Sequence, residues 1–237
     1  MEIIYLFDVD GVLCDTGCKI DPEFKKFFTD WASNKEYYIV TGGERQSTIE
    51  QVGKDIVEQA KIGFHCMGNQ IYIEDREYKI NQFHLSESEY WWLENYALES
   101  PCPIKTGNNI EYRPGSVSYS VVGKNATPEE KKEYFKWDSI NKERRLLVEQ
   151  IEKLFPRLEA FIGGNASIDI CLRGANKGAC IEMIRRYNTK ILFFGDKCFP
   201  GGIDYPIAKA AIDTFGNVKA FNITDGYKQT WEKLKTL

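Results

Sequence analysis

YLFDVDGVLCD, residues 5–15, ends an apolar run in two aspartates one residue apart. The run from Ile3 to Phe7 is short, continuous and rich in β-formers, which predicts a strand buried on both faces. Asp8 and Asp10 then stand at its carboxyl end, where like charges repel. Such a placement needs a counter-charge, and the rest of the chain indicates which.

After this strand the hydrophobic period changes. In IDPEFKKFFTDW (20–31), Asp21 suits a helix cap and Pro22 the first helical position, while Phe24, Phe27, Phe28 and Trp31 recur at helical spacing. Tyr37 to Val40 reads as a second strand, followed by TGGERQS (41–47) and a further helical stretch, and Ile62 to Cys66 as a third strand. This βαβαβ order predicts a parallel, helix-covered sheet.

The rhythm then breaks. IYIEDREYKI (71–80) predicts a hairpin turning at Glu74, Asp75 and Arg76. Ser86 with Glu89 predicts a capping box for a helix carrying Trp91, Trp92 and Tyr96. In SVSYSVV (116–122), Val117, Tyr119 and Val121 alternate with small polar residues, as in a half-buried antiparallel strand. Thr127, Pro128 and Glu130 predict another helix start. SIDICL (167–172) alternates again, with Ile168, Ile170 and Leu172 on one face and Ser167 and Asp169 on the other. Buried-strand patterns return at KILFFGDK (190–197) and VKAFNI (218–223). The order predicts an α/β core, Rossmann-like with a parallel sheet (residues 1–82 and 174–237), interrupted by an inserted α+β cap (residues 83–173).

Composition narrows the function. The 237 residues, 43% hydrophobic and 28% charged, suit a soluble globular protein that needs no disulfides. A net charge of −4 argues against a nucleic-acid or anionic-membrane surface. Seven cysteines without CxxC pairs fit a reduced, cytoplasmic chain. Zinc is disfavoured, because His65 and His84 lack paired cysteines at ligand spacing. Glu2 stands where a secretory signal would be basic, and no apolar segment reaches bilayer length.

In an open parallel sheet, functional residues gather beyond the carboxyl ends of the strands. Asp8 and Asp10 follow the first strand, Thr41 with Gly42 and Gly43 the second, and Asp196 the late strand. Carboxylates meeting there raise one another's pKa unless a cation neutralises them. Oxygen ligands without histidine or thiolate point to Mg²⁺. Each motif has a plainer explanation when taken singly: an acidic turn, a glycine turn, a solvated Lys177. GDKCFPGGID (195–204) is more specific, because Asp196 and Asp204 flank a Pro-Gly-Gly turn.

DVDG after a strand, Thr-Gly-Gly after the next, Lys177 in GANKG and the GDKCFPGGID segment, in this order, resemble the haloacid dehalogenase superfamily of phosphotransferases. The resemblance implies that Asp8 attacks phosphorus and Asp10 serves as acid and base. Lys177, Thr41 and a Mg²⁺ held by Asp8, Asp10, Asp196 and Asp204 would then surround the phosphoryl group. The chemistry is consistent, because a carboxylate nucleophile splits one hard displacement into two easier ones.

A closer resemblance covers most of the chain. YRPGSVSYSVVGKNATPEEKKEYFKWDSINKERR (112–145), FIGGNASIDICLRGANKG (161–178) and FFGDKCFPGGID (193–204) are similar to the eukaryotic-type phosphomannomutases. That family interconverts mannose 1-phosphate and mannose 6-phosphate, uses Mg²⁺ and a hexose 1,6-bisphosphate activator, and forms homodimers through the cap. By this resemblance Arg113, Lys124, Lys131, Ser167 and Asp169, with Gly42 and Gly43, hold the hexose phosphate substrate. Lysines at 124 and 131 replace family arginines, which keeps the charge and loses the bidentate fork. Gly17, Val12 and Glu44 depart from the family's arginine, threonine and serine, and Gly68-Asn69 stands where Asn-Gly is expected. A sugar-phosphate phosphatase on the same core is the second reading. A silent scaffold is the third, and the retention of Asp8 and Asp10 argues against it.

Overall fold

A computed structural model of the chain describes residues 2–185, 189–213 and 217–237. Its larger sheet begins with β1 (Glu2–Phe7), whose last four residues are fully buried. It pairs in parallel with β2 (Tyr37–Val40) on one side and β10 (Thr189–Gly195) on the other. β3 (Ile62–His65) and β11 (Val218–Asn222) extend the parallel block. Two antiparallel strands, β4 (Gln70–Ile73) and β5 (Arg76–Ile80), close one edge, giving the order β11-β10-β1-β2-β3-β4-β5.

Alternate residues of each buried strand feed opposite layers, as a two-faced strand requires. Tyr5, Phe7, Tyr37, Ile39 and Phe194 pack under α1 (Pro22–Ala32) and α9 (Gly226–Leu234), meeting Phe24, Phe28 and Leu234. Ile4, Leu6, Tyr38, Val40 and Phe193 face the other way, against Ile181 and Ile184 of α7 (Ala179–Ile184) and Ile207 of α8 (Tyr205–Asp213). The cap of α1 forms as its sequence dictates: Asp21 accepts from the amides of Glu23 and Phe24 at 3.0 Å, a contribution of about 1 kcal/mol. The helical stretch after TGGERQS divides into α2 (Arg45–Val52) and α3 (Lys54–Gln59) at Gly53.

The smaller sheet, hereafter the cap, has the antiparallel order β6-β7-β9-β8: β6 (Ile110–Arg113), β7 (Ser116–Tyr119), β9 (Ile168–Leu172) and β8 (Leu158–Ile162). Three helices lie on it: α4 (Glu87–Glu99), α5 (Pro128–Asn141) and α6 (Glu143–Leu154). The expected capping boxes at Ser86/Glu89 and Thr127/Glu130 are both formed. Trp92 and Tyr96 pack into the cap core, whereas Trp91 is exposed.

Three expectations change. The Glu74-Asp75 pair alone makes the hairpin turn, both residues having positive φ, and Arg76 already belongs to β5. This is the backbone of a two-residue turn matched to strand twist. Leu172, the last residue of β9, is exposed rather than buried with Ile168 and Ile170. The serines of SVSYSVV are not solvated: Ser116, Ser118 and Ser120 are buried. The registers set Glu111, Ser118, Asp169 and Phe161 side by side across the cap sheet, and Arg113, Ser116, Cys171 and Glu159 in the next row. This face meets the rim of the larger sheet, and small hydroxyls permit the close approach.

Candidate active site

β1 ends at Phe7, so Asp8 leaves the sheet at its carboxyl rim, with its amide donating to Phe194 O at 2.9 Å. Lys177, only 1% exposed, reaches the rim from the amino end of α7. Its Nζ donates to Asp8 Oδ1 at 2.8 Å and to Asp204 Oδ1 at 2.7 Å. Asp204 is also wholly buried, and its Oδ2 accepts from the amides of Asp196 and Lys197 at 3.0 and 3.1 Å. That carboxylate therefore folds the GDKCFPGGID loop back beneath Asp8. Gly11, at φ +77°, completes the packing: a Cβ there would lie 2.6 Å from Asp196 Oδ2.

The electrostatics follow from burial and crowding. Burial raises the Asp8 pKa well above the carboxylate range, Asp204 and Asp196 add to the rise, and Lys177 opposes it. Burial and Asp204 likewise raise Asp196, against the pull of Lys197. Burial alone would lower the Lys177 pKa, yet Asp204 and Asp8 raise it, so the ammonium is held firmly charged.

Ligand oxygens of Asp8, Asp196 and Asp204 lie within 4.8 Å of one another. Asp196 Oδ1 is buried and has no hydrogen-bond partner among the described residues. An all-oxygen, carboxylate-rich site with an orphaned acceptor fits a hard divalent cation such as Mg²⁺. The carboxylate of Asp10, expected as a further ligand, is not in this group. The chain turns after Asp8, and Asp10 Oδ1 instead accepts from the Gly17 amide at 2.7 Å and from Gln51 Nε2 at 2.8 Å.

Above the rim a cavity of about 840 Å³ is lined by Asp8, Asp10, Thr41, Gly42, Gly43 and Lys177 from the larger sheet. Arg113, Lys124, Lys131, Ser167 and Asp169 line it from the cap. The Thr41 hydroxyl accepts from the Gly43 amide at 3.1 Å. Arg113 Nη1 donates to Gly42 O at 3.2 Å, which ties cap to rim, and approaches Asp169 at 3.5 Å. Glu111 gathers the cap cations: it pairs with Arg113 through both oxygens, at 3.2 and 3.1 Å, and with Lys124 at 3.1 Å. Lys124 also donates to Ser118 Oγ at 2.6 Å. Burial and Arg113 lower the Lys124 pKa, with Glu111 and Asp169 opposing. Ser167 and Asp169 share one face of the cap sheet: a Cβ on Gly163 would lie 3.6 Å from Ser167 Oγ and 2.3 Å from Asp169 Oδ2.

Sequence reading missed Glu111, Gln51 and Lys197. Lys197, paired with Asp196, lines the same cavity. It sits within the DKCFPGGID segment, and its place beside Asp196 was the available signal. Glu111 and Gln51 carry no local signal, since each is defined by a partner reached across the fold.

The family model described as eukaryotic phosphomannomutase matches residues 24–230. Phosphomannomutase from Spinacia oleracea is 34% identical over 213 residues, covering 86% of each chain. That from Encephalitozoon cuniculi is 31% identical and covers 100% of this chain and 95% of its own, so its alignment includes the Asp8 segment. The Saccharomyces cerevisiae enzyme is 30% identical over 87% of this chain and 85% of its own. Among solved structures, the C. albicans trehalose-6-phosphate phosphatase C-terminal domain shares the fold, with a TM-score of 0.65 at 14% identity, covering 99% of this chain and 91% of its own. So does a trehalose-6-phosphate phosphatase related protein, with a TM-score of 0.59 at 18% identity over 98% and 96%. With a parallel-sheet core, an acidic rim and relatives of one name along its length, this chain belongs to the eukaryotic phosphomannomutase family.

Proposed function

We propose that the chain interconverts mannose 1-phosphate and mannose 6-phosphate through a phosphoryl group carried on Asp8. The observation that carries this reading is the clamp on Asp8. Lys177 occupies Oδ1, and no donor among the described residues reaches Oδ2, which leaves that oxygen for phosphorus. Attack by Asp8 Oδ2 on one phosphoryl group of the hexose 1,6-bisphosphate forms the aspartyl-phosphate as the bond from that phosphorus to its sugar oxygen breaks, and Asp10 gives its proton to the departing oxygen, which leaves the hexose monophosphate. In the return step the Asp10 carboxylate takes a proton from the free hydroxyl of the hexose monophosphate, which attacks phosphorus, frees Asp8 and re-forms the bisphosphate. Lys177 offsets the charge spreading over the phosphoryl oxygens.

Asp8, Asp196 and Asp204 would hold Mg²⁺, which supplies charge neutralisation at the phosphoryl group. A hexose 1,6-bisphosphate serves as activator and as the species that turns around between half-reactions. Arg113, Lys124 and Lys131 would hold its distant phosphate, with Ser167 and Asp169 on sugar hydroxyls. Residues 1–82 with 174–237 then act as catalytic core and residues 83–173 as cap. We place the enzyme in the cytoplasm as a homodimer through the cap, where Trp91, Leu98, Phe135 and Ile140 are exposed. Among the described residues no helix is long and apolar enough to cross a membrane.

The competing reading is hydrolysis of a hexose phosphate, favoured by lysines in place of forked guanidinium groups in the cap. Purified protein supplied with mannose 1-phosphate, Mg²⁺ and a hexose 1,6-bisphosphate is expected to yield the 6-phosphate isomer. Inorganic phosphate as the main product would replace the mutase by the phosphatase.

A further inference from the structure

The turn after β3 places three consecutive residues in the left-handed region: Cys66 (φ 48°), Met67 (φ 60°) and Gly68 (φ 88°). For Cys66 and Met67 this backbone is unfavourable and persists only where surroundings enforce it. Here the Cys66 amide donates to Gly43 O at 2.9 Å and the Met67 amide to Thr41 O at 2.8 Å. Met67 is thereby pressed among Phe161 and Cys171 of the cap and Ile203 of the core.

The same turn delivers Asn69, 1% exposed, to a junction of three segments. Its Nδ2 donates to Cys66 O and to Ala175 O, both at 2.9 Å. Its Oδ1 accepts from Asn81 Nδ2 at 2.8 Å, and its backbone carbonyl accepts from the Asn81 amide at 2.8 Å. Asn81 lies on the first chain crossing between the sheets and Ala175 on the second. The cap's Pro114-Gly115 turn rests on the same residue, since a Cβ on Gly115 would fall 2.4 Å from Asn69 Cβ. Elsewhere the cap is held on its β8 side, where the Ile162 amide donates to Gly201 O at 2.7 Å and Glu159 accepts from Asn176 at 2.7 Å. On the β6–β7 side Asn69 acts beside the Arg113 Nη1 bond to Gly42 O.

We propose that Asn69 is a positioning residue for phosphoryl transfer, fastening both crossings and the Arg113 turn to the core rim. It thereby sets how far Arg113 stands from Lys177, which follows Ala175 by two residues. The inference rests on the reading that the cap holds the sugar phosphate's second anionic group. A loosened seat displaces Arg113 and Lys177 relative to one another, and misplacement of about 1 Å costs on the order of 100-fold in rate. It also admits water to the aspartyl-phosphate, so phosphate release rises relative to isomerisation.

The test compares the full-length protein with Asn81→Ala, which removes one donor to Asn69, and with Asn69→Ala. Isomer and inorganic phosphate are measured with mannose 1-phosphate, Mg²⁺ and a hexose 1,6-bisphosphate. Amide hydrogen exchange is followed over residues 111–116 and 173–178. For Asn81→Ala, isomerisation is expected to fall by about 10-fold and phosphate released per isomer formed to rise at least ~3-fold. Exchange should rise in both distant segments together, with Asn69→Ala more strongly affected. Isomer and phosphate falling by one common factor, or exchange rising only around residues 80–82, would overturn the proposal. Should the unmodified protein only hydrolyse its substrate, the mutase reading fails by itself, and the exchange measurement still decides the role of Asn69.

Discussion

Lys177 Nζ stands 2.8 Å from Asp8 Oδ1, joining two residues 169 positions apart in a site with almost no solvent exposure. Removing one partner of such a pair leaves an unbalanced buried charge, at a cost of about 3–5 kcal/mol. Lys177→Met should therefore lower stability at neutral pH and cut turnover on the order of 1000-fold. Added Mg²⁺ should restore part of the lost stability, read from urea unfolding, because it balances the carboxylates that the lysine no longer serves.

Gln51 and the Gly17 amide share one oxygen of Asp10, leaving Oδ2 to exchange protons with the substrate. Gln51→Leu removes one of the two donors while the backbone amide keeps its hold. Turnover is expected to fall by about 10-fold, in line with the loss of one hydrogen bond to a charged group, with little change in KM. Steady-state kinetics separate this outcome from a binding defect, in which KM alone would rise.

In the cap, Lys124 is the cation bonded to both Glu111 and Ser118. Lys124→Ala should raise KM for mannose 1-phosphate on the order of 10- to 100-fold, the equivalent of a charge-assisted bond of about 1.5–3 kcal/mol. Lys124→Arg should lower KM instead, since a guanidinium can grip phosphate through two parallel bonds. An unchanged KM in Lys124→Ala would remove this residue from the phosphate-holding set.

His65 is fully buried, shares a 3.2 Å hydrogen bond with Thr48, and its Nε2 has no partner among the described residues. Burial, helped by Arg45, lowers its pKa to about 3. The unfolded chain therefore binds a proton at higher pH than the folded one. The stability this group contributes is complete above its unfolded pKa of about 6.5 and is lost as pH falls from there toward 3. Between pH 6.5 and 5 the protein should lose up to about 1.4 kcal/mol per pH unit more than His65→Asn. The difference between the two proteins, measured by urea unfolding, cancels the carboxylates common to both.

Much of this architecture was legible because burial on two faces writes continuous apolar strands, as at Ile3–Phe7 and Tyr37–Val40, and because Asp21, Ser86 and Thr127 cap helices by local chemistry. β6 and β8 were not read: IEYR and LEAFI are short, mixed segments whose strand character comes from pairing with neighbours. Asp10 shows the limit of spacing as a guide. A gap of two residues places side chains on one face only while the strand continues, and β1 stops at Phe7. The serines of β7 looked solvated because composition records polarity, while their burial depends on the core rim that packs against them.

The most direct test lies at Asp8. After incubation with Mg²⁺ and a hexose 1,6-bisphosphate and an acid quench, peptide mapping should find a phosphoryl group on Asp8. The Asp8→Asn protein should carry none and should neither isomerise mannose phosphates nor release phosphate. A phosphoryl group on a different residue, or normal turnover by Asp8→Asn, would contradict the assignment.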